Sequence, residues 1–139
     1  MAQFKAMELH VNKQVIDWST VKMTAGTSAA GPFYLPSLNG YLVNLFARVI
    51  TAFEGVTHPT VKLGDSTDTE LLITKQPIDQ TGNLKVGKRG QDGYCTAMNN
   101  PGGSKTNYAL QLTFESASGN LSSLTAGEIE FVTLYATEK

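Results

Sequence analysis

The sequence predicts an all-β protein, folded as a jelly-roll-like antiparallel β-sandwich in a single domain over residues 1–139. Short runs in which apolar and polar residues alternate recur along the chain, and turn-forming residues separate them. The 13 glycines suit a chain with many turns, and only 17% of the residues are charged. About seven or eight strands with turns between them indicate a sandwich of the jelly-roll type.

The longest alternating run covers residues 41–54 and is bounded by Gly40 and Gly55. With the period of two that a strand has, one face is largely apolar. That face holds Tyr41, Val43, Leu45, Ala47, Val49, Thr51 and Phe53, and the other holds Asn44, Arg48 and Glu54. A helix competes, because several apolar residues also recur at helical spacing. No helix caps are evident and turn-rich segments follow, so the strand is favoured.

The chain before this run divides into an arm, a strand and a loop. We expect residues 1–13 to form an N-terminal arm or a short strand, and residues 14–23 to form a better strand. Because residues 14–23 carry apolar groups on both faces, Trp18 is either covered or exposed at an interface. Residues 24–40 are mostly small, with two prolines, and predict a long loop. Loops of this length usually serve a function or lie against a partner.

Shorter runs predict the remaining strands. They cover residues 60–64, 70–75, 108–115 and 126 almost to the C-terminus, with one or two short strands around 84–86 and 94–98. In the run at 108–115, Leu110, Leu112 and Phe114 face inward and Thr113 faces outward.

Composition argues against several classes of function. The net charge of −1 gives no general attraction to nucleic acid or to an anionic membrane. No apolar run approaches the roughly 20 residues that span a bilayer. The N-terminus lacks the apolar core of a signal peptide, so we expect synthesis in a cytoplasm. Cys95 is the single cysteine, and nothing resembles a Ser-His-Asp set, a zinc cluster or a dinucleotide fingerprint. We therefore expect no enzymatic activity and no cofactor.

Three clusters could still bind a ligand. Asp65, Asp68 and Glu70 place three carboxylates close together, as calcium requires, but without EF-hand spacing. We prefer a turn in which an aspartate caps backbone amides. Lys85, Lys88 and Arg89 form a basic cluster, read as a solvated loop tip or as a rim contact to an acidic protein surface. The third cluster is aromatic and could bind glycans, although such residues are more often core or interface. Its members are Trp18, Phe33, Tyr34, Tyr41 and Tyr94.

Three short motifs mark the end of the central strand, the segment after it and the start of the last strand. Thr-Ala-Phe-Glu-Gly at 51–55 ends the central strand and is followed by Gly-Asp-Ser-Thr-Asp at 64–68. Leu-Thr-Ala-Gly-Glu at 124–128 leads into the last strand. Together they resemble a pattern in small virion proteins of tailed bacteriophages, over roughly residues 41–135. The resemblance implies a capsid cement (decoration) protein on the exterior of the virion, which binds the major capsid protein and forms a dimer or trimer.

A protein of that kind needs side chains that become buried against its neighbours. The N-terminal arm and the loop at 24–40 are suited to lie along another subunit. The expected interface residues are Phe4, Trp18, Phe33, Tyr34, Leu35, Lys88 and Arg89. The alternative function is a receptor- or glycan-binding β-sandwich module of a virion fibre or a cell-surface protein.

Overall fold

A computed structural model describes residues 6–22, 26–33, 40–64, 69–86, 96–97 and 110–138. These ranges contain nine strands, a single turn of α-helix and a 3₁₀ helix (Leu121–Ser123). The elements are β1 (Met7–Asp17), α1 (Trp18–Val21), β2 (Ser28–Phe33), β3 (Gly40–Glu54), β4 (Thr60–Gly64), β5 (Ile73–Pro77), β6 (Gly82–Asn83), β7 (Thr96–Ala97), β8 (Leu110–Glu115) and β9 (Ala126–Glu138). Within these ranges, neither helix has the length or apolar character to cross a membrane.

The strands form two antiparallel sheets. Sheet A has the order β1-β9-β3-β6, with β7 also paired to β3, and sheet B has the order β2-β8-β4-β5. The pairs β1·β9, β2·β8, β3·β6 and β4·β5 are nested, as in one long ribbon folded back on itself. The pairs β3·β9 and β4·β8 roll that ribbon into two layers. This is the jelly-roll arrangement, and it confirms the predicted fold class.

Strand β3 confirms the central prediction. Leu45, Ala47, Val49 and Phe53 are buried as the alternation requires, whereas Thr51 is exposed. The register of β3 against β9 shifts between residues 49 and 51 and again between 51 and 54. Because a bulge inserts an extra residue and re-aims the side chains after it, it turns Thr51 outward and returns Phe53 to the core.

The prediction for the N-terminal region is partly wrong. Strand β1 runs without interruption from Met7 to Asp17, so residues 7–13 belong to sheet A and are not a separate arm. The strand expected over 14–23 ends at Asp17 instead. The Asp17 carboxylate accepts hydrogen bonds from the backbone N–H groups of Ser19 and Thr20, at 3.1 and 3.3 Å. This N-cap starts the helical turn that holds Trp18.

The loop predicted over residues 24–40 contains strand β2. Its six residues, among them Gly31 and Pro32, pair antiparallel with β8 along its whole length. Local propensity did not indicate this strand, because glycine and proline both disfavour β structure. Pairing with β8 overrides that preference. Flanked by β2 and β4, Thr113 in β8 is buried, although the alternation had placed it outward.

The short strand expected around 84–86 lies slightly earlier, at β6. The segment after it is held by a side chain instead of a strand. Gln76 Oε1 accepts a hydrogen bond from the Lys85 N–H at 2.8 Å, and Gln76 Nε2 donates to the Lys85 carbonyl at 2.6 Å. One amide side chain thus replaces a pair of backbone ladder bonds. Around 94–98, only Thr96–Ala97 is described, as β7.

The core lies between the two sheets and is organised by two aromatic contacts. The ring centroids of Phe33 and Phe131 are 5.2 Å apart in an edge-to-face arrangement, and those of Phe53 and Phe114 are 5.8 Å apart. Because the residues of each pair come from opposite sheets, each contact joins the two layers of the sandwich.

The sequence motifs at 51–55 and 124–128 meet in space. Thr125 N donates to the Glu54 carbonyl at 2.9 Å. The Phe53 ring occupies the space beside Gly127, so a Cβ atom at position 127 would lie within 2.7 Å of Cε2 and closer still to Cγ and Cδ2. The two motifs therefore form one structural junction where β3 ends and β9 begins.

Candidate interaction surface

The outer face of sheet A is unusually apolar. All the large apolar side chains that are exposed in the described residues lie on β1 and β3 of this sheet. They are Leu9, Val11, Val15, Phe46 and Ile50, and Leu9, Val11 and Phe46 are the most exposed, at 64%, 70% and 56%. Between the two strands, β9 adds the half-buried Val132 and Leu134. We call this set of seven side chains the apolar face.

Strand register brings these side chains together. Val11 on β1 pairs with Leu134 on β9. Val132 pairs on one side with Lys13 of β1 and on the other with Phe46 of β3. Directly opposed residues in an antiparallel sheet point to the same face, about 4.5–5.5 Å apart. The apolar face is therefore a continuous surface across three strands.

Strand β1 has the reverse of the polarity expected for a sandwich. Leu9, Val11 and Val15 point away from the core. The residues that alternate with them include Asn12 and Gln14, which pair with the buried Thr133 and Phe131 of β9 and so point inward. A strand of an isolated sandwich would normally place its apolar residues on the inner side.

Glu130 forms the polar centre of this surface. It pairs with Val15 of β1 and Arg48 of β3, and its side chain is only 9% exposed. Lys13 Nζ lies 3.0 Å from Oε2, and Arg48 Nε lies 3.2 Å from Oε1. The hydrogen bond from Lys13, with the positive charge of Arg48, holds the pKa of the Glu130 carboxyl below its usual range despite the desolvation there.

The charge of this cluster is therefore largely satisfied inside the chain. Two cations surround one carboxylate, which leaves one positive charge in excess. The side chains of Lys13 and Arg48 remain 61% and 58% exposed. They can still approach an acidic group on a partner while the Glu130 carboxylate stays neutralised.

The outer face of sheet B is polar by comparison. There, Glu115 lies 2.9 Å from Lys62 Nζ and 3.8 Å from Lys75 Nζ. The hydrogen bond from Lys62 is the main cause of the lowered pKa of the Glu115 carboxyl. No large apolar side chain in the described part of sheet B is exposed. The two faces of the sandwich thus differ in the chemistry that they present.

Of the seven residues expected at an interface, the described part of the chain contains only Phe33 and Trp18. Phe33 is 4% exposed and packs against Phe131, so its burial needs no partner, and its assignment to an interface is corrected. Trp18 is half-buried against the core, with Lys22 Nζ 4.8 Å from its ring centroid. The other five, Phe4, Tyr34, Leu35, Lys88 and Arg89, lie outside the described residues.

The glycan and calcium hypotheses gain no support. Of the five aromatic residues, Phe33 belongs to the core and Trp18 packs on it, while the side chains of Tyr34, Tyr41 and Tyr94 are not described. Asp65, Asp68 and Cys95 are likewise not described. Glu70 Oε1 accepts a hydrogen bond from Lys75 N at 2.6 Å, as in a turn. The described residues contain no cluster of three or more potential metal ligands.

Sequence reasoning missed most of the apolar face, although a signal was present. In β1, Leu9, Val11 and Val15 alternate with polar residues, which indicates one apolar side but not the direction in which it points. In β3, Phe46 and Ile50 occupy the face that also carries Asn44 and Arg48. A contiguous exposed patch of large apolar side chains marks an interaction site.

Comparison with protein-family models and with curated proteins finds no match. Among solved structures, the chain is similar to a chain of the cyanophage Pam1 capsid asymmetric unit. The TM-score is 0.56 and the identity 11%, over 99% of this chain and 89% of that one. It is also similar to FlhE, with a TM-score of 0.44 and 12% identity over 96% of this chain and 98% of that one. The first likeness shows the fold, and the second is too weak to support an argument.

Proposed function

We propose that this protein is a structural component of a bacteriophage virion, namely a cement protein that binds the outside of the capsid and stabilises its lattice. The apolar face is the observation that carries the proposal. The jelly-roll fold shared with a chain of a phage capsid unit supports it, as do the three motifs that resemble those of small tailed-phage virion proteins. No reaction is assigned to the chain.

The apolar face would bind the major capsid protein. Burial of exposed apolar surface is favourable by about 25 cal/mol per Å². Leu9, Val11 and Phe46 supply such surface on a rigid sheet, so that little conformational entropy is lost on binding. A capsid surface with an apolar patch and an acidic rim would complement this face, because Lys13 and Arg48 stand beside its apolar residues.

The capsid is stabilised if the binding site for this protein exists only on the assembled shell. If the complementary surface is complete only in the assembled shell, each bound copy favours assembly over dissociation. The gain rises with occupancy, since a ligand that binds only one state stabilises that state by mass action. The protein itself needs only a rigid fold and a contact surface.

The test uses particles of the virus that encodes this chain, prepared without it and then incubated with purified protein. Val11→Ser combined with Phe46→Ser should leave a folded β protein that no longer saturates the particles. Ala30→Ser combined with Thr74→Ser is the matched control, because both residues are exposed on sheet B. The control should bind like the wild type. Gel densitometry gives the copies per particle, and dye fluorescence during heating gives the temperature of genome release.

Two results would contradict the proposal at different levels. Full occupancy by the Val11→Ser, Phe46→Ser variant would show that the apolar face is not the capsid-binding surface. Equal release temperatures for particles with and without the wild-type protein would rule out the cement function itself. If the particles bind no wild-type protein at all, the chain is not a component of the capsid.

A further inference from the structure

Strand β1 forms one edge of sheet A. It is 11 residues long and pairs with β9 over its whole length without a register shift. No described strand pairs with its other side. Its sequence contains neither proline nor glycine. A long, regular and partly apolar edge of this kind presents unpaired backbone groups and is a template for pairing with another strand.

The other sheet edges are protected in the usual ways. Strand β2 has six residues and contains Gly31 and Pro32. Strand β5 has five residues and ends at Pro77, and β6 has only two residues. Short edges and prolines prevent the addition of a strand. Among the described edges, β1 is therefore the one that is suited to pairing.

The backbone of β1 indicates which groups face this free side. The Asn12 carbonyl accepts a hydrogen bond from Thr133 Oγ1 of β9 at 3.4 Å, so it is directed toward β9. In an antiparallel ladder, the N–H and C=O of one residue point to the same side and alternate between sides along the strand. The N–H and C=O groups of Val11 and Lys13 therefore point to the free edge.

We propose that β1 pairs antiparallel with β1 of a second copy of this chain, which joins the two A sheets across a twofold axis. The proposal does not depend on the capsid-binding function, because it concerns the protein alone in solution. The pairing would bring Leu9 and Val11, the two most exposed large apolar side chains of the described residues, beside the second copy on the same outer face. It would also make one continuous apolar face from two copies.

The charges on β1 are compatible with pairing to itself. With the axis at Val11, Leu9 lies opposite Lys13 of the second copy and Glu8 lies opposite Gln14. With the axis at Asn12, Leu9 lies opposite Val15 and Val11 lies opposite Lys13. Neither register places like charges directly opposite each other, which would be unfavourable. An axis at Lys13 would do so and is excluded.

A cysteine scan over residues 9–13 tests the pairing and its register. Each cysteine is introduced into a Cys95→Ser background, which removes the natural thiol. Only a residue directly opposite its own copy has the Cα separation of about 4.5–5.5 Å that a disulfide accepts. Mild oxidation should give a covalent dimer with one maximum, at Val11→Cys or Asn12→Cys. Equal yields of covalent dimer at all five positions, or no covalent dimer at any of them, would contradict the proposal.

Mass measurement with a charge variant gives the second test. Sedimentation equilibrium of the wild type should show a particle of twice the chain mass of 15.0 kDa. Val11→Lys should weaken the dimer by about tenfold or more, because the new lysine opposes its own copy once with the axis at Val11, or Lys13 of the second copy twice with the axis at Asn12. Ala30→Lys adds the same charge to an exposed residue of edge strand β2 and should leave the dimer intact.

The possible outcomes separate this inference from the proposed function. A monomeric wild type would overturn the pairing, and so would a closed trimer, because a ring of three cannot form from a twofold contact. A dimer lost in Val11→Lys but kept in Ala30→Lys would establish it. A dimer that binds no capsid would contradict only the proposed function, and a monomer that saturates capsids would contradict only the pairing.

Discussion

Gly127 is a position at which a single added methyl group should be poorly tolerated. Its φ of +142° lies in a region that residues with a side chain rarely adopt. In addition, a Cβ atom there would lie within 2.7 Å of Phe53 Cε2, and closer still to Cγ and Cδ2. Phe53 is 1% exposed and packs against Phe114, so its ring has no free space into which to move.

The two effects can be estimated separately. Holding a residue with a Cβ in such a backbone conformation costs about 1–3 kcal/mol of folding free energy. Forcing a methyl group into filled space costs about 1–3 kcal/mol more. We expect Gly127→Ala to lower the free energy of unfolding by about 2–6 kcal/mol, a large part of the 5–15 kcal/mol typical of a domain.

Two other glycines separate the contributions in urea unfolding experiments. Gly82 also has a positive φ, +135°, but a Cβ there would meet nothing within 4 Å, so Gly82→Ala reports the backbone effect alone. Gly31 has neither constraint, and Gly31→Ala should change stability by less than about 1 kcal/mol. If Gly127→Ala is no more destabilising than Gly82→Ala, the contact with Phe53 is not what requires a glycine.

Two further predictions concern stability. Phe114→Ala should lower the free energy of unfolding by about 3–5 kcal/mol, because it leaves a cavity between the sheets, whereas a change near zero would place that ring at the surface. Glu115 and Glu130 have lowered pKa values in the fold, so their contribution to stability is complete above the unfolded-chain pKa of about 4.3 and is lost as the pH falls through the folded-state values. The urea concentration at the midpoint of unfolding should therefore decrease as the pH is lowered through this acidic range. Glu115→Gln should make that decrease smaller. An equal pH dependence in the wild type and in Glu115→Gln would contradict the role of the Glu115 ion pairs.

The sequence by itself determined the fold class and most of the strands. Alternation is a local property, since successive side chains of any strand point to opposite sides. The run at 41–54 could therefore be assigned to a strand and its buried residues largely named. The same reasoning identified the strands at 60–64, at 110–115 and from Ala126 onward. Each of these carries enough β-branched, aromatic or leucine residues for its pattern to be distinct.

Only the tertiary structure decided which side of β1 is inside. The alternation of β1 shows that Leu9, Val11 and Val15 share a side, but pairing with β9 turns that side away from the core. A one-residue change of register would have reversed it. Strand β2 likewise depends on β8, because its small residues have little strand preference of their own.

The junction of the two motifs has the same explanation. The sequence shows a phenylalanine in one motif and a glycine in the other, more than 70 positions apart. That the glycine is needed because the Phe53 ring lies against it follows only from the packing of β3 on β9. Local patterns therefore specify strands and turns, whereas pairing between distant segments decides which side chains are buried, which residues must be small and which face remains available to a partner.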